Sequence, residues 1–138
     1  MIRVGLVGFG MAGRVFHAPL ISSVEGLELA AVVERHTDLT AERYPGITTY
    51  RSLEEMLEDA SLGLLVVATP SGSHFQVARQ ILEAGKNVVV DKPMSVASVE
   101  IAQLMELAAA RDLFLAPFLT GAGTATSRRF RNYCIKVF

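Results

Sequence analysis

The chain has 138 residues, 51% hydrophobic and 20% charged, with a net charge of −1. That suits one domain with a real core, excludes disorder throughout, and gives neither nucleic acid nor an anionic membrane a reason to bind. Cys134 is the only cysteine and no apolar run is long enough for a membrane span, so an internal disulfide is excluded and a reducing, cytoplasmic setting is expected.

Strand-like and helix-like segments alternate, the sign of a parallel sheet with crossover helices. The first strand is expected over Ile2–Val7, followed by a helix from about Met11 to Val24 that Pro19 should bend or divide. A second strand spans Leu27–Val33. A polar stretch with Tyr44-Pro45-Gly46 leads to a short strand at Ile47–Tyr50, and Ser52 with Glu55 forms a capping box for a helix through Leu57. Leu62–Ala68 is an unbroken apolar run, as a central strand covered on both faces requires. A helix over Ser73–Ala84 is stopped by Gly85. Asn87–Val90 is the fifth strand, Ala97–Arg111 a helix and Leu113–Phe118 the sixth strand. The expected fold class is therefore α/β, a doubly wound parallel sheet of Rossmann type with strand order 3-2-1-4-5-6.

The first strand runs straight into G-x-G-x-x-G, with glycines at 8, 10 and 13, and the second ends on Glu34, 26 residues past Gly8. A dinucleotide site needs Gly8 for the tight turn, Gly10 for backbone approach to the pyrophosphate, and Gly13 for close helix packing. The intervening Phe9, Met11 and Ala12 complete the cradle, and the helix N-terminus faces the phosphates. Glu34 is placed to accept the adenosine ribose hydroxyls. A carboxylate there favours NAD over NADP, although Arg35 beside it would accommodate a 2′-phosphate. The rivals for this loop are a junction without ligand and a methyltransferase-type nucleotide loop.

Ligands of open parallel sheets lie beyond the carboxyl ends of the strands. The fourth strand exits into Thr69, Pro70, Ser71 and, after two more residues, His74; the fifth exits into Asp91, Lys92 and Pro93. Lys92 is the residue with chemistry: an ammonium beside a nicotinamide and a sugar hydroxyl can hydrogen-bond the substrate oxygen and stabilise developing alkoxide. A cis Lys92–Pro93 bond would suit this turn. His17 is expected as a helix-face or cofactor-adjacent group, and His74 as an organiser of its loop. Cys134 has no activating partner nearby, and no cluster has metal-ligand spacing.

Taken together, Val4 to Gly13, Thr69-Pro70 with His74, and Asp91-Lys92-Pro93 resemble the N-terminal domain of the glucose–fructose oxidoreductase/inositol dehydrogenase (Gfo/Idh/MocA) family over residues 1–118. In that family G-x-G-x-x-G, T-P-x-x-x-H and E/D-K-P recur in this order. The resemblance implies a nicotinamide dinucleotide site, NAD or NADP, and a role for Lys92 in cofactor and substrate contacts. It also implies hydride transfer on a sugar, polyol or related carbonyl compound. Family members continue into a second α/β domain that supplies oligomer contacts, the substrate pocket and a catalytic Asp/His pair, and no such stretch follows here. The expectation is therefore a chain without turnover, taking a substrate only if a second domain is supplied, with self-association into a homo-oligomer through its exposed edge left open. A stand-alone nucleotide-binding or regulatory module is the alternative.

Composition breaks after Phe118. All 14 acidic residues precede it, whereas residues 119–138 hold Arg128, Arg129, Arg131 and Lys136 with no acid and no periodicity, an irregular basic tail. Synonymous codons for Thr120–Phe130, read one base earlier, can spell N-R-R-W-D-R-D-F-A-T-V, which resembles what the family places after its sixth strand. The expectation is a frameshifted product whose native frame ends near Phe118.

Overall fold

The computed structural model describes residues 1–118, and the expectations for the basic tail, Cys134 and the shifted reading frame lie outside them. Along the chain come β1 (Ile2–Val7), a π-helical turn (Gly13–His17) continuing into α1 (Ala18–Ser23), β2 (Leu27–Val33), α2 (Leu39–Arg43), β3 (Thr48–Tyr50) and α3 (Leu53–Leu57). Then follow β4 (Leu64–Val67), a 3-10 turn (Ser71–Ser73), α4 (His74–Glu83), β5 (Asn87–Val90), α5 (Ser98–Ala110) and β6 (Leu115–Pro117). The six strands form one sheet in the order β3-β2-β1-β4-β5-β6, every pair parallel. This is the doubly wound arrangement expected from the alternation, and its order reverses between β1 and β4.

The apolar runs are explained by cover on both faces. Leu64 and Val66 of β4 point to one side, where they join Val4, Leu6, Val32 and Ile21. Leu65 and Val67 point to the other, against Ile81 of α4 and Leu104 of α5. Each of these residues is buried, and burying such a side chain contributes about 1.5–3 kcal/mol.

Three local features depart from expectation. The first helix is not divided at Pro19 but widened before it: the Ala18 amide donates to Gly13 O, one residue further back than in an α-helix. Proline brings no N–H and its ring crowds the carbonyl four residues earlier, so a wider turn relieves both problems. The helix α2 lies in the polar stretch where no element is expected. The strands β4 and β6 are shorter than their apolar runs: Leu62 is buried ahead of β4, and Ala68 and Phe118 are buried just past the strand ends. The capping pair forms in part as read: the Glu55 amide donates to Ser52 Oγ at 3.2 Å, while the Glu55 carboxylate accepts from the Arg51 amide at 3.0 Å, one residue before the cap.

Candidate functional site

A staircase of backbone hydrogen bonds runs across the carboxyl ends of the strands. The Gly8 amide donates to Val33 O (3.3 Å), Ala68 to Val7 O (2.9 Å), Asp91 to Val67 O (2.9 Å) and Phe118 to Val90 O (2.7 Å). Each bond joins the first residue after one strand to the last residue of its neighbour. The glycine, threonine–proline and lysine–proline turns are thereby brought side by side along one rim.

The glycine turn has the shape its sequence demands. Gly8 has φ +103°, and a Cβ on it would lie 2.9 Å from Ala68 O. A Cβ on Gly13 would lie 2.3 Å from Gly8 O. Around Gly10 the space is open, with nothing within 4 Å of an added Cβ. Two glycines are thus used up by the protein's own backbone while the middle one faces free space, where a phosphate could approach the backbone. The Arg14 amide donates to Gly10 O at 3.0 Å, so the helix begins within this loop. Met11 is 72% exposed, whereas the Phe9 side chain is buried and meets Tyr44 edge-on at 6.2 Å. Phe9 therefore brings only its backbone to the turn.

Glu34 differs most from expectation. Its side chain is buried rather than presented to a ribose. Oε1 accepts from the Thr37 hydroxyl and from the Leu39 amide at 2.9 Å, and Oε2 accepts from the Thr40 amide at 3.0 Å. The carboxylate caps α2, which explains a helix there that the local sequence does not announce. Burial alone would raise its pKa, but the Thr37 hydroxyl and the Thr40 and Leu39 amides outweigh burial and hold it below the usual carboxylate value. Arg35 and His36 are exposed at the lip. Arg51, which sequence reasoning missed, braces this loop by donating to Glu34 O (3.0 Å) and Thr37 O (2.7 Å) and pairing with the Asp38 carboxylate. Its only sequence signal is its place just past β3, the strand beside β2.

On the other two turns, the Ser73 hydroxyl lies 2.8 Å from Thr69 Oγ1 and donates to Pro70 O at 2.7 Å. His74 is buried, with Nδ1 2.7 Å from Pro93 O and Nε2 2.7 Å from Thr69 O. Pro70 and Ser71 are exposed at the rim. The Lys92–Pro93 peptide bond is cis. Asp91 turns inward: Oδ1 accepts from the Lys92 amide (2.8 Å) and Oδ2 lies 3.2 Å from His17 Nε2. The Lys92 side chain is exposed, and its ammonium makes no hydrogen bond or ion pair among the described residues. The His17–Asp91 pair has no local signal, because its partners lie far apart in sequence.

No group of three or more His, Cys, Asp or Glu side chains among the described residues is placed to hold a metal ion. No helix among them is long and apolar enough to cross a membrane.

Comparison with known proteins gives the same picture. Residues 2–118 match the model of the Gfo/Idh/MocA oxidoreductase family, NAD-binding Rossmann fold. The chain is 40% identical over 107 residues to the uncharacterised oxidoreductase YdgJ of Escherichia coli K12, covering 78% of this chain and 31% of that protein. It is 33% identical over 99 residues to the NADP(+) scyllo-inositol 2-dehydrogenase IolW of Bacillus subtilis, covering 72% of this chain and 28% of that protein. Among solved structures, GenD2 from gentamicin A biosynthesis, in complex with NAD, superposes with a TM-score of 0.77 at 34% identity, covering 84% of this chain and 34% of that one. The chain therefore spans about a third of the length of the relatives it matches.

Proposed function

The chain belongs to the Gfo/Idh/MocA family of oxidoreductases, residues 2–118 being its NAD-binding Rossmann domain, and on that premise we propose how the three turns divide the work. The loop from Gly8 to Gly13, including Phe9, Gly10, Met11 and Ala12, holds the pyrophosphate. Thr69, Pro70, Ser71 and His74 border the nicotinamide and its ribose. Asp91 and Pro93 set the direction of Lys92, whose ammonium hydrogen-bonds the substrate oxygen and stabilises negative charge there as hydride moves. The dinucleotide supplies the hydride acceptor or donor. The substrate is a sugar, polyol or related carbonyl compound.

The observation that carries this reading is the staircase across the strand ends, with Gly10 facing open space at one step and the Lys92 ammonium two steps along. IolW, a relative named as acting on an inositol, supports the substrate class.

For the adenosine end, NAD remains the first choice, because the buried Glu34 keeps its negative charge beside this strand end although its oxygens are engaged by the 37–40 turn. Committed to the 37–40 turn, this carboxylate repels a 2′-phosphate less than a free acid would, so NADP is accepted as well, through Arg35. The isolated chain is a dinucleotide binder without turnover.

Titration with NADH and NADPH, followed by fluorescence and calorimetry, tests the proposal. Saturable binding of either, with displacement by the oxidised form, is expected. No binding of either at millimolar concentration would end it. Turnover assays on sugars and polyols, in a form joined to the further length its relatives carry, test the substrate class.

A further inference from the structure

Two histidines stand on either side of Lys92, and the dinucleotide reading gives neither of them chemistry. His17 comes from the helix after β1 and His74 from the start of the helix after β4, and both are 2% exposed. Neither satisfies itself within its own helix. His17 reaches across to the carboxylate of Asp91, 3.2 Å from Nε2, while the Phe118 ring packs on its face with centroids 4.4 Å apart. His74 reaches Pro93 O with one nitrogen and Thr69 O with the other, each at 2.7 Å.

We propose that His17 and His74 are the positioning residues of Lys92: they clamp the residues before and after it and tie that turn to the glycine loop's helix and to the threonine–proline turn. This rests on reading Lys92 as the reacting ammonium. On one side the path is His17 to Asp91 Oδ2, and from Asp91 Oδ1 to the Lys92 amide, which donates at 2.8 Å. On the other it is Thr69 O to His74 to Pro93 O. The backbone on both sides of Lys92 is thereby fixed, and only the side-chain torsions remain to place the ammonium. Such restraint is valuable at a hydride-transfer site, where a small misplacement of a reacting group lowers the rate steeply.

The two clamps differ in chemistry. Carbonyl oxygens only accept, so both His74 contacts are hydrogen bonds together only in the doubly protonated ring, and the neutral ring keeps one of them. His17 faces a carboxylate, which any Nε2–H satisfies. A glutamine at 17 can therefore replace the donor, whereas a glutamine at 74 keeps at most part of the link.

The chain contains three lysines, Lys86, Lys92 and Lys136, so labelling with 15N-lysine yields three backbone amide signals. Lys86, whose amide donates to Ile81 O at 3.1 Å, is the internal control. In the free 138-residue chain, His17→Ala and His74→Ala are each expected to raise the Lys92 amide exchange rate about tenfold relative to Lys86. His17→Gln should return it to within about threefold of the unaltered protein, and His74→Gln should fall between. With NADH, the shift of the Lys92 amide signal should shrink in both alanine variants, and in His17→Ala, which lies outside the dinucleotide contacts, the affinity should change less than about threefold. Unchanged Lys92 exchange in both alanine variants overturns the proposal. Absence of NADH binding to the unaltered chain overturns the dinucleotide reading instead, and the exchange comparison still decides the clamp. Should the alanine variants fail to fold, 15N spectra of the unaltered chain decide it: slowly exchanging ring protons on both histidines support the clamp, and their absence from both rings overturns it.

Discussion

A methyl group built on Gly13 would lie 2.3 Å from the carbonyl oxygen of Gly8. The first turn is therefore closed by direct contact between its two outer glycines. Gly13→Ala must push the backbone apart, and overpacking of this kind costs about 1–3 kcal/mol. Gly10→Ala meets nothing within 4 Å, so its stability should change by less than about 1 kcal/mol. Binding should reverse that order of severity. Gly10→Ala places a methyl where the phosphates approach and should weaken NADH by more than about tenfold in a fully folded protein. Denaturant unfolding and NADH titration of both variants check this. A stable Gly10→Ala variant with unchanged affinity would remove the pyrophosphate from this loop.

The six strands and the three turns were legible because each carries a local constraint. Buried parallel strands read as apolar runs, as in Leu64–Val67, and glycines and prolines mark turns through their own backbone restrictions. What stayed hidden is long-range. The helix α2 forms where the chain is polar because Glu34, from the preceding strand end, supplies the acceptor for its first amides. The buried turn of the Glu34 side chain, the brace from Arg51 and the pairing of His17 with Asp91 each depend on which strand ends are neighbours. Only the assembled sheet decides that. The widened turn before Pro19 is a middle case: proline signals a disturbance, but not whether the helix breaks or expands.

Glu34 and Asp59 give the fold an acid-sensitive margin. Burial opposes the Glu34 charge but hydrogen bonds outweigh it, and the Asp59 carboxylate is held down chiefly by the Ser61 hydroxyl against burial, aided by the Ser61 amide and the Tyr50 hydroxyl. Both folded pKa values lie below the unfolded ones, so their contribution is complete above about pH 4–5. It is lost as pH falls through the folded values. Stability should thus be flat near neutrality and decline below about pH 4. Tyr50, raised by burial and by Asp59, sets the other limit: its contribution is lost as pH rises past about 10. Glu34→Ala leaves the Thr37 hydroxyl and two amides without their acceptor and should cost about 1–3 kcal/mol at pH 7. At pH 2.5 the same substitution should cost less, which urea unfolding at the two pH values measures.

Lys92 is exposed and unpaired among the described residues, so Lys92→Met should leave the melting temperature and the NADH affinity nearly unchanged. Its effect should appear in chemistry. In a form of the protein that turns over, joined to the further length its relatives carry, kcat should fall about a hundred- to ten-thousandfold with little change in the dinucleotide KM. A variant with unimpaired kcat would transfer the chemistry to another residue. Single-turnover measurement with pre-bound dinucleotide separates the hydride step from release.

Arg35 offers the sharpest test of coenzyme choice. It is exposed at the lip beside a carboxylate whose oxygens already accept from Thr37, Leu39 and Thr40. A free acid there would exclude a 2′-phosphate by charge repulsion, but this one, though ionised, is buried with its oxygens engaged by the 37–40 turn. NADPH should then bind within about tenfold of NADH, a difference of about 1.4 kcal/mol. Arg35→Ala removes the charge-assisted contact to the 2′-phosphate and nothing from a 2′-hydroxyl, so it should weaken NADPH about five- to tenfold and NADH less than twofold. Raising the salt concentration should mimic the substitution for NADPH, because an exposed pair is screened. Equal losses for both coenzymes would mean that Arg35 acts on the loop's shape, and Arg51 would then be the guanidinium to examine.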